Sequence, residues 1–125
     1  MRLLLDTHAL LWWLADDPAL SGGARDAIAA PGSSVFVSAA SAGEISIKRA
    51  IGRLTAPVDL EAQIGASRFD PLPITVGHAL AAGALPRHHD DPFDRMLVAQ
   101  AMVERLIIVT RDARVGLYGV DVLAA

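Results

Sequence analysis

The stretch Arg2-Leu-Leu-Leu-Asp6 decides the fold, because it joins a short apolar run directly to an acidic residue. Three consecutive leucines without polar alternation are typical of a parallel strand that is covered on both faces. Residues 7–15 then predict a helix that ends before Asp16-Asp17-Pro18. The chain therefore begins as a strand that passes straight into a helix, with Asp6 at the junction.

The same order of strand and helix continues along the chain. Further strands or extended segments are predicted at residues 35–38, 72–74, 106–110 and 120–123, and further helices at residues 21–30, 41–52, 60–69, 76–85 and 92–105. Strands that alternate with helices imply a mostly parallel sheet with helices on both faces. No internal repeat or long linker divides the 125 residues, so we expect one α/β domain that spans residues 1–125.

The composition excludes several classes of protein. The chain has no cysteine, and therefore neither a disulfide framework nor a thiolate metal site. No apolar run approaches the roughly 18 residues that cross a bilayer, and Asp6 and His8 interrupt the apolar start in a way that disfavours a signal peptide. We therefore expect a cytoplasmic location. The net charge of −3 gives no broad basic surface for nucleic acid, although a bound cation would offset part of it.

Three more acidic residues stand at junctions between strands and helices. Glu44 lies near the start of the helix after the second strand, Asp94 lies at the start of helix 92–105, and Asp112 follows the strand 106–110. Ligands of open α/β sheets bind beyond the carboxyl ends of the strands, so we expect the four acids to meet there. Two unit charges about 5 Å apart repel by roughly 3 kcal/mol at an effective dielectric of about 20. Such a cluster favours a cation, and all-oxygen ligation favours Mg²⁺ or Mn²⁺.

Helix capping is the alternative explanation for each acid taken alone. Ser41-Ala-Gly-Glu44 matches a capping box, and Asp91 followed by proline matches an N-cap. Asp6 and Asp112 can cap the segments that follow them. Capping does not require all four acids to lie at one edge of a sheet, whereas metal binding does. The two explanations are compatible, because helix N-termini favour ionised carboxylates nearby.

The order of these motifs resembles that of PIN-domain ribonucleases, in particular the VapC-type toxins of bacterial toxin–antitoxin pairs. The resemblance runs over essentially the whole chain and rests on Leu3-Leu-Leu-Asp6-Thr7-His8, Val37-Ser-Ala-Ala-Ser41-Ala-Gly-Glu44-Ile45, His89-Asp-Asp-Pro-Phe-Asp94-Arg95-Met-Leu-Val-Ala-Gln-Ala101 and Ile108-Val-Thr-Arg-Asp112. It implies a three-layer α/β/α fold, a homodimer, Mg²⁺- or Mn²⁺-dependent cleavage of RNA, and a small cognate antitoxin that blocks the site. The chain departs from the family at Gly43, where many relatives carry a bulky residue.

The acidic residues of the family fall, position by position, on Asp6, Glu44, Asp94 and Asp112. We therefore predict an endoribonuclease in which these four form the catalytic set and a metal-activated water attacks phosphorus. Asp6, Asp94 and Asp112 are the predicted metal ligands, with Asp6 in the centre. Glu44 is either a further ligand or the base that orients the water. Asp91 is expected to be the N-cap, and a role beside the ligands is the alternative.

Other functions remain as alternatives. A PIN-like module can hold RNA or a protein partner without cutting it. A response-regulator receiver domain needs a late lysine, but Lys48 is the only lysine and lies in the first half of the chain. A haloacid-dehalogenase-type phosphatase needs a second acid where His8 stands.

Several residues near the acids have more than one possible role. Lys48 lies four residues after Glu44, where it can form a helical ion pair or reach a phosphate. Arg95 and Arg111 adjoin predicted site residues and are candidates for binding RNA phosphates. His88 and His89 show no metal-ligand spacing and are expected to be polar loop residues.

Two neighbouring tryptophans point about 100° apart on the first helix. Trp13 shares the core face with the leucines of that helix, and Trp12 falls on the opposite side. Trp12 is therefore predicted to contact the antitoxin in an apolar groove, or to be covered by another helix of the same chain.

Overall fold

The computed structural model describes residues 1–125. Five strands are present, namely β1 (Arg2–Leu5), β2 (Ser34–Ser38), β3 (Asp70–Leu72), β4 (Ile107–Thr110) and β5 (Val122–Ala124). Six α-helices accompany them, namely α1 (Thr7–Leu14), α2 (Gly22–Ala29), α3 (Ala39–Ala50), α4 (Leu60–Ala66), α5 (Val76–Ala84) and α6 (Pro92–Glu104), and a short 3₁₀ helix covers Val115–Tyr118. None of these helices has both the length and the apolar character needed to cross a membrane.

The strands form one sheet in the order β3-β2-β1-β4-β5, and every neighbouring pair is parallel. Leu5 at the end of β1 pairs with Val37 of β2 on one side and with Val109 of β4 on the other. The carboxyl ends of these three central strands therefore lie side by side. Any polar residue just after one of them is close to those after the other two.

The two faces of the sheet carry separate apolar cores, because alternate strand residues point to opposite sides. Leu3 and Leu5 belong to a core that includes Leu10 of α1 and Ile28 of α2. Leu4 belongs to a second core, whose members include Leu97, Val98 and Ala101 of α6 and Ile108 of β4. The predicted three-layer α/β/α fold is confirmed.

Helix α3 begins earlier than predicted, and this changes the role of Glu44. Ser38, at the end of β2, is the N-cap and accepts a hydrogen bond of 2.9 Å from the backbone N–H of Ala40. Ser41 is thus buried inside the helix, and Glu44 is its sixth residue. The predicted capping box of Ser41 and Glu44 was wrong. A capping box is found instead at α5, between Thr75 and His78.

The helix predicted at residues 60–69 ends at Ala66, so β3 starts two residues earlier than the extended segment that was predicted. Arg68 adopts a left-handed backbone with φ of 61°, and its N–H binds the carbonyl of Gly65 at 3.0 Å. This is a common way for a helix to end. It brings Phe69 into the core and the next residues into the sheet beside β2.

Candidate active site

Asp6 is held where β1 turns into α1. Its carboxylate caps the helix by accepting a 2.8 Å hydrogen bond from the N–H of Ala9, and its own N–H binds the carbonyl of Val109 at 3.1 Å. Burial raises the pKa of Asp6, while hydrogen bonds from the Thr110 side chain and the Ala9 backbone oppose the rise. Asp6 therefore caps α1 and also lies at the carboxyl edge of the sheet.

Glu44 reaches the same edge from the second turn of α3. The side chain is buried, and its two oxygens accept hydrogen bonds of 2.5 Å from the hydroxyl of Thr7 and 2.5 Å from Nζ of Lys48. The bond to Glu44 raises the pKa of Lys48. Of the two roles considered for Lys48, the structure has the ion pair. A Cβ at Gly43 would meet no heavy atom within 4 Å outside the neighbouring residues and the backbone of α3, so a larger side chain would have open space here.

Asp94 is the third residue of α6 and has no partner of its own. Asp91 is the N-cap, as predicted, because its carboxylate accepts hydrogen bonds from the N–H groups of Phe93 at 2.9 Å and of Asp94 at 3.1 Å. Burial, followed by the charges of Asp91, Asp6, Glu44 and Asp112, raises the pKa of Asp94 to about 7. No hydrogen bond or ion pair of the protein reaches the Asp94 carboxylate.

Asp112 lies two residues beyond β4, and Arg114 neutralises it. The guanidinium binds both carboxylate oxygens, with Nε 3.0 Å from Oδ1 and Nη2 2.8 Å from Oδ2. The backbone N–H of Arg114 adds a third bond of 2.9 Å to Oδ1. These bonds hold the pKa of Asp112 below its ordinary value.

The four acids predicted from the sequence line one cavity of about 310 Å³. Its wall holds five carboxylates and three basic side chains, contributed by Asp6, Glu44, Asp91, Asp94, Asp112, Lys48, Arg111 and Arg114. Negative charge therefore exceeds positive charge, and the excess is concentrated where Asp94 lacks a partner. Crowded carboxylate oxygens with an unneutralised member are a donor set that fits a hard divalent cation.

Trp12 and Arg111 are placed differently from what the sequence predicted. Trp12 does not face away from the chain, because it packs against the first core and lines the cavity. Arg111 stacks on the Trp12 ring at 4.3 Å and donates to the carbonyls of Ala19 and Ala125.

Arg95 is occupied within its own chain instead of facing the cavity. Its guanidinium donates to the carbonyls of Ala82 at 3.2 Å, Leu85 at 3.1 Å and Pro86 at 3.0 Å. It therefore fixes the connection between α5 and α6, and is poorly placed for the phosphate contact considered from the sequence.

His89 is the residue that the sequence interpretation missed. It was expected to be a polar loop residue, but it is buried, and neither ring nitrogen has a hydrogen-bond partner. One ring nitrogen and carboxylate oxygens of Asp94 and Asp112 lie within 4.8 Å of one another. The only signal in the sequence is that His89 lies five residues before Asp94.

A larger cavity of about 630 Å³ lies between α3, α4 and β3. Its wall is mainly apolar and includes Val37, Leu60, Ile64, Phe69 and Leu72, with Glu61 as its one titratable side chain. Hydrolytic chemistry requires groups that hold charge or protons, so the smaller acidic cavity is the candidate active site.

Comparison with known proteins agrees with this architecture. The family model described as the PIN domain matches residues 3–122. The chain resembles a chain of VapBC2 from Rickettsia felis bound to a DNA fragment from its promoter, with a TM-score of 0.73, 13% identity and 98% of each chain covered. It also resembles a chain of a toxin–antitoxin complex from Klebsiella pneumoniae, with a TM-score of 0.69, 18% identity, and 98% of this chain and 96% of the other covered.

A third similar structure is VapBC-5 from Mycobacterium tuberculosis, a member of the VapBC family of toxin–antitoxin systems. The TM-score is 0.62 at 17% identity, and 99% of this chain and 98% of the other are covered. A search of curated proteins gives no match. At these identities the likeness to the solved structures shows the fold alone.

Proposed function

The chain belongs to the PIN-domain family, and from this premise we propose that it is a divalent-metal-dependent endoribonuclease that acts as the toxin of a toxin–antitoxin pair. One observation carries the proposal. Four carboxylates converge on one cavity, and burial, followed by repulsion from the neighbouring carboxylates, raises the pKa of Asp94 to about 7 although two of the four have basic partners. A cation in the cavity would relieve this repulsion.

Asp6, Asp94 and Asp112 are the proposed metal ligands. Mg²⁺ or Mn²⁺ held there would supply positive charge at the phosphate and acidify a water molecule. Asp6 is fixed by its cap, and Asp94 is the carboxylate with no competing partner. Asp112 accepts three hydrogen bonds and keeps a lone pair on Oδ2.

Glu44 is the proposed acceptor for the proton of the attacking water. Thr7 and Lys48 lock its carboxylate in one orientation, so it can position the water without rearrangement. We assign Glu44 this role, and because each of its oxygens keeps one lone pair, a further metal ligand is the alternative.

The basic residues on the cavity wall are suited to the RNA backbone. Arg111 and Arg114 are exposed and flank the acids, and the Nη1 group of each makes no hydrogen bond within the chain and can donate to a phosphate. Phosphate contacts of this kind position a nucleic acid without reading its sequence. They support a nucleic acid as the substrate, whereas the choice of RNA rests on the family.

The cognate antitoxin and a second copy of the chain are the proposed protein partners. The solved structures that resemble this chain are described as toxin–antitoxin or VapBC complexes. The apolar cavity between α3, α4 and β3 offers a surface for an antitoxin segment, and exposed apolar side chains of α5 and α6 (Val76, Leu80, Met102, Val103) offer one for a homodimer. Such a protein acts in the cytoplasm, where its RNA is found.

The test is incubation of the purified protein with structured RNAs in Mg²⁺, in Mn²⁺ and in EDTA. We expect cleavage with either metal, loss of cleavage in EDTA, and recovery when metal is added back. Asp6→Asn should remove cleavage without unfolding α1, because asparagine also caps helices. Asp26→Asn, at an exposed position of α2 away from the cavity, is the matched control and should cleave normally.

Two results would count against this function. RNA that binds but stays intact in the presence of metal would support the non-cleaving PIN-like module instead. Growth arrest on expression without an antitoxin, present for the native chain and absent for Asp6→Asn, is expected of a toxin. Equal growth of the two strains would reject the toxin role while leaving the nuclease activity to be judged by the first assay.

A further inference from the structure

His89 lies beside the acidic site in an environment that does not satisfy it. It belongs to the loop between α5 and α6, is only 6% exposed, and has no hydrogen-bond partner at Nδ1 or Nε2. A neutral imidazole carries one donor and one acceptor, and a buried polar group without a partner costs about 1–3 kcal/mol. An unpartnered side chain at this depth indicates that something outside the protein completes its bonding.

Tyr118 fixes the His89 side chain in place. The two rings meet edge to face with centroids 5.5 Å apart, and the backbone N–H of His89 donates to the Tyr118 hydroxyl at 3.3 Å. The same hydroxyl accepts a hydrogen bond of 3.3 Å from Arg95, which in turn holds the loop carbonyls. The imidazole is therefore preorganised by its surroundings rather than free to turn toward solvent.

The spacing between His89 and two of the acids is that of groups around one ion. A ring nitrogen of His89 and carboxylate oxygens of Asp94 and Asp112 lie within 4.8 Å of one another, yet no hydrogen bond joins the imidazole to either acid. Ligands that share a cation at about 2.1 Å stand about 3 Å apart when adjacent and about 4.2 Å apart when opposite. The three groups leave a gap of this order between them.

Resting on the proposed metal-dependent function, we propose that His89 is a nitrogen ligand to a divalent cation shared with Asp94 and Asp112. Imidazole is a softer donor than carboxylate and adds affinity for transition metals rather than for Mg²⁺. The site therefore discriminates between cations and binds Mn²⁺ more tightly than an all-oxygen site of the same charge. Asp112 can take part while still bound to Arg114, because Oδ2 accepts only one of the three hydrogen bonds.

The experiment detects nitrogen bound to Mn²⁺ in the full-length protein without RNA, by electron spin echo envelope modulation. We expect a directly coordinated ¹⁴N signal that changes to the ¹⁵N pattern when histidine is ¹⁵N-labelled. The signal should vanish in His89→Asn and persist in His8→Asn, which removes the one histidine that lines the acidic cavity. His89→Asn should weaken Mn²⁺ binding about tenfold or more and Mg²⁺ binding less than about threefold.

The outcomes separate this inference from the proposed function. Mn²⁺ held by oxygen alone, or unchanged Mn²⁺ affinity in His89→Asn, rejects the histidine ligand and indicates that a water fills the gap. If the same preparation still cleaves RNA in an EDTA-sensitive way, the ribonuclease proposal stands while the inference falls. Absence of any Mn²⁺ binding rejects both. Should His89→Asn fail to fold, loss of the nitrogen signal in His8→Asn would reject the assignment, and its retention would support it.

Discussion

The flanks of the acidic cavity differ from its centre in how charge is balanced. Glu44 and Asp112, on the flanks, each hold a basic residue of the same chain, Lys48 at 2.5 Å and Arg114 at 2.8 Å. Asp6 and Asp94, in the centre, have no basic partner, and burial raises the pKa of both. The chain therefore neutralises only part of its own site. The unbalanced centre is where an added cation has the most to stabilise.

The largest expected effect comes from removing a charge in the centre. Asp94→Asn should lower RNA cleavage by about 10³-fold or more, because losing a metal ligand removes several kcal/mol of charge stabilisation. The same change should raise the melting temperature in EDTA, since it removes the carboxylate whose ionised form the fold disfavours. Cleavage rates and thermal melts in EDTA measure the two effects. A variant that loses activity and metal-free stability together would contradict the account.

A change on the buried flank should have a smaller effect and the opposite sign for stability. Lys48→Met leaves the buried Glu44 with Thr7 as its only partner. Breaking a fully buried pair costs about 3–5 kcal/mol, and because the Lys48 side chain is 38% exposed, we expect about 1–2 kcal/mol. Urea unfolding measures this loss. The double variant Lys48→Met with Glu44→Gln should recover most of it, and additive losses would show that the pair is not coupled.

Between about pH 4 and pH 7, the change in stability with pH should come from Asp94 in the centre of the cavity. The pKa of Asp94 is about 7 in the fold and near 3.9 when unfolded, so between these values the folded chain holds a proton that the unfolded chain has released. Stability in EDTA therefore falls as the pH rises from about 4 to about 7. Comparing urea unfolding of the native chain and Asp94→Asn at pH 4.5, 5.5 and 7 isolates this contribution. If the free energy of unfolding changed equally with pH in the two proteins, Asp94 would not be the source of the pH dependence.

Saturating Mg²⁺ or Mn²⁺ should remove most of this fall in stability with rising pH. A ligand at 100 times its dissociation constant stabilises a folded protein by about 2.7 kcal/mol, and the metal competes with the proton for Asp94. Stabilisation should therefore be greater at pH 7 than at pH 5. The free energy of unfolding should be measured at pH 5 and pH 7, with and without the metal, in Ca²⁺-free buffers. An increase in stability that is the same at both pH values would point to metal binding elsewhere on the protein.

The smallest effect is expected at the exposed flank. Arg114 holds the pKa of Asp112 below its ordinary value, so this pair contributes stability above about pH 4 that is lost as the pH falls through the lowered pKa. Arg114 is largely exposed and its pair is screened by solvent, so Arg114→Gln should leave melting at pH 7 nearly unchanged. A clear loss of stability at pH 7 would show that Arg114 has a structural role like that of Lys48.

The centre of the site could be predicted from the sequence better than its surroundings. Asp6 and Asp94 follow from local patterns, since each lies at a junction that strand and helix signals define. The start of α3 did not follow, because Ser38 and Ser41 are both good caps and only the end of β2 selects the first. Glu44 lines the cavity with the other acids as expected, but it does so from inside α3 and not from a capping box.

His89 could not be predicted because its environment depends on residues far along the chain. Its ring packs against Tyr118, which lies 29 positions later in the 3₁₀ helix after β4. The same holds for Arg95, whose partners are carbonyls at the end of α5. Loop residues have no periodicity, so no pattern in the sequence reports which of them become buried.

A metal-activated water that cuts RNA in this cavity would leave ends of a defined chemistry, and these ends are the most direct test of the proposed function. Cleavage should be carried out with Mn²⁺ in H₂¹⁸O, and the products analysed by mass spectrometry. We expect linear phosphate ends that carry one solvent oxygen, and no product in EDTA. Cyclic 2′,3′-phosphate ends without solvent oxygen, formed equally well in EDTA, would contradict it.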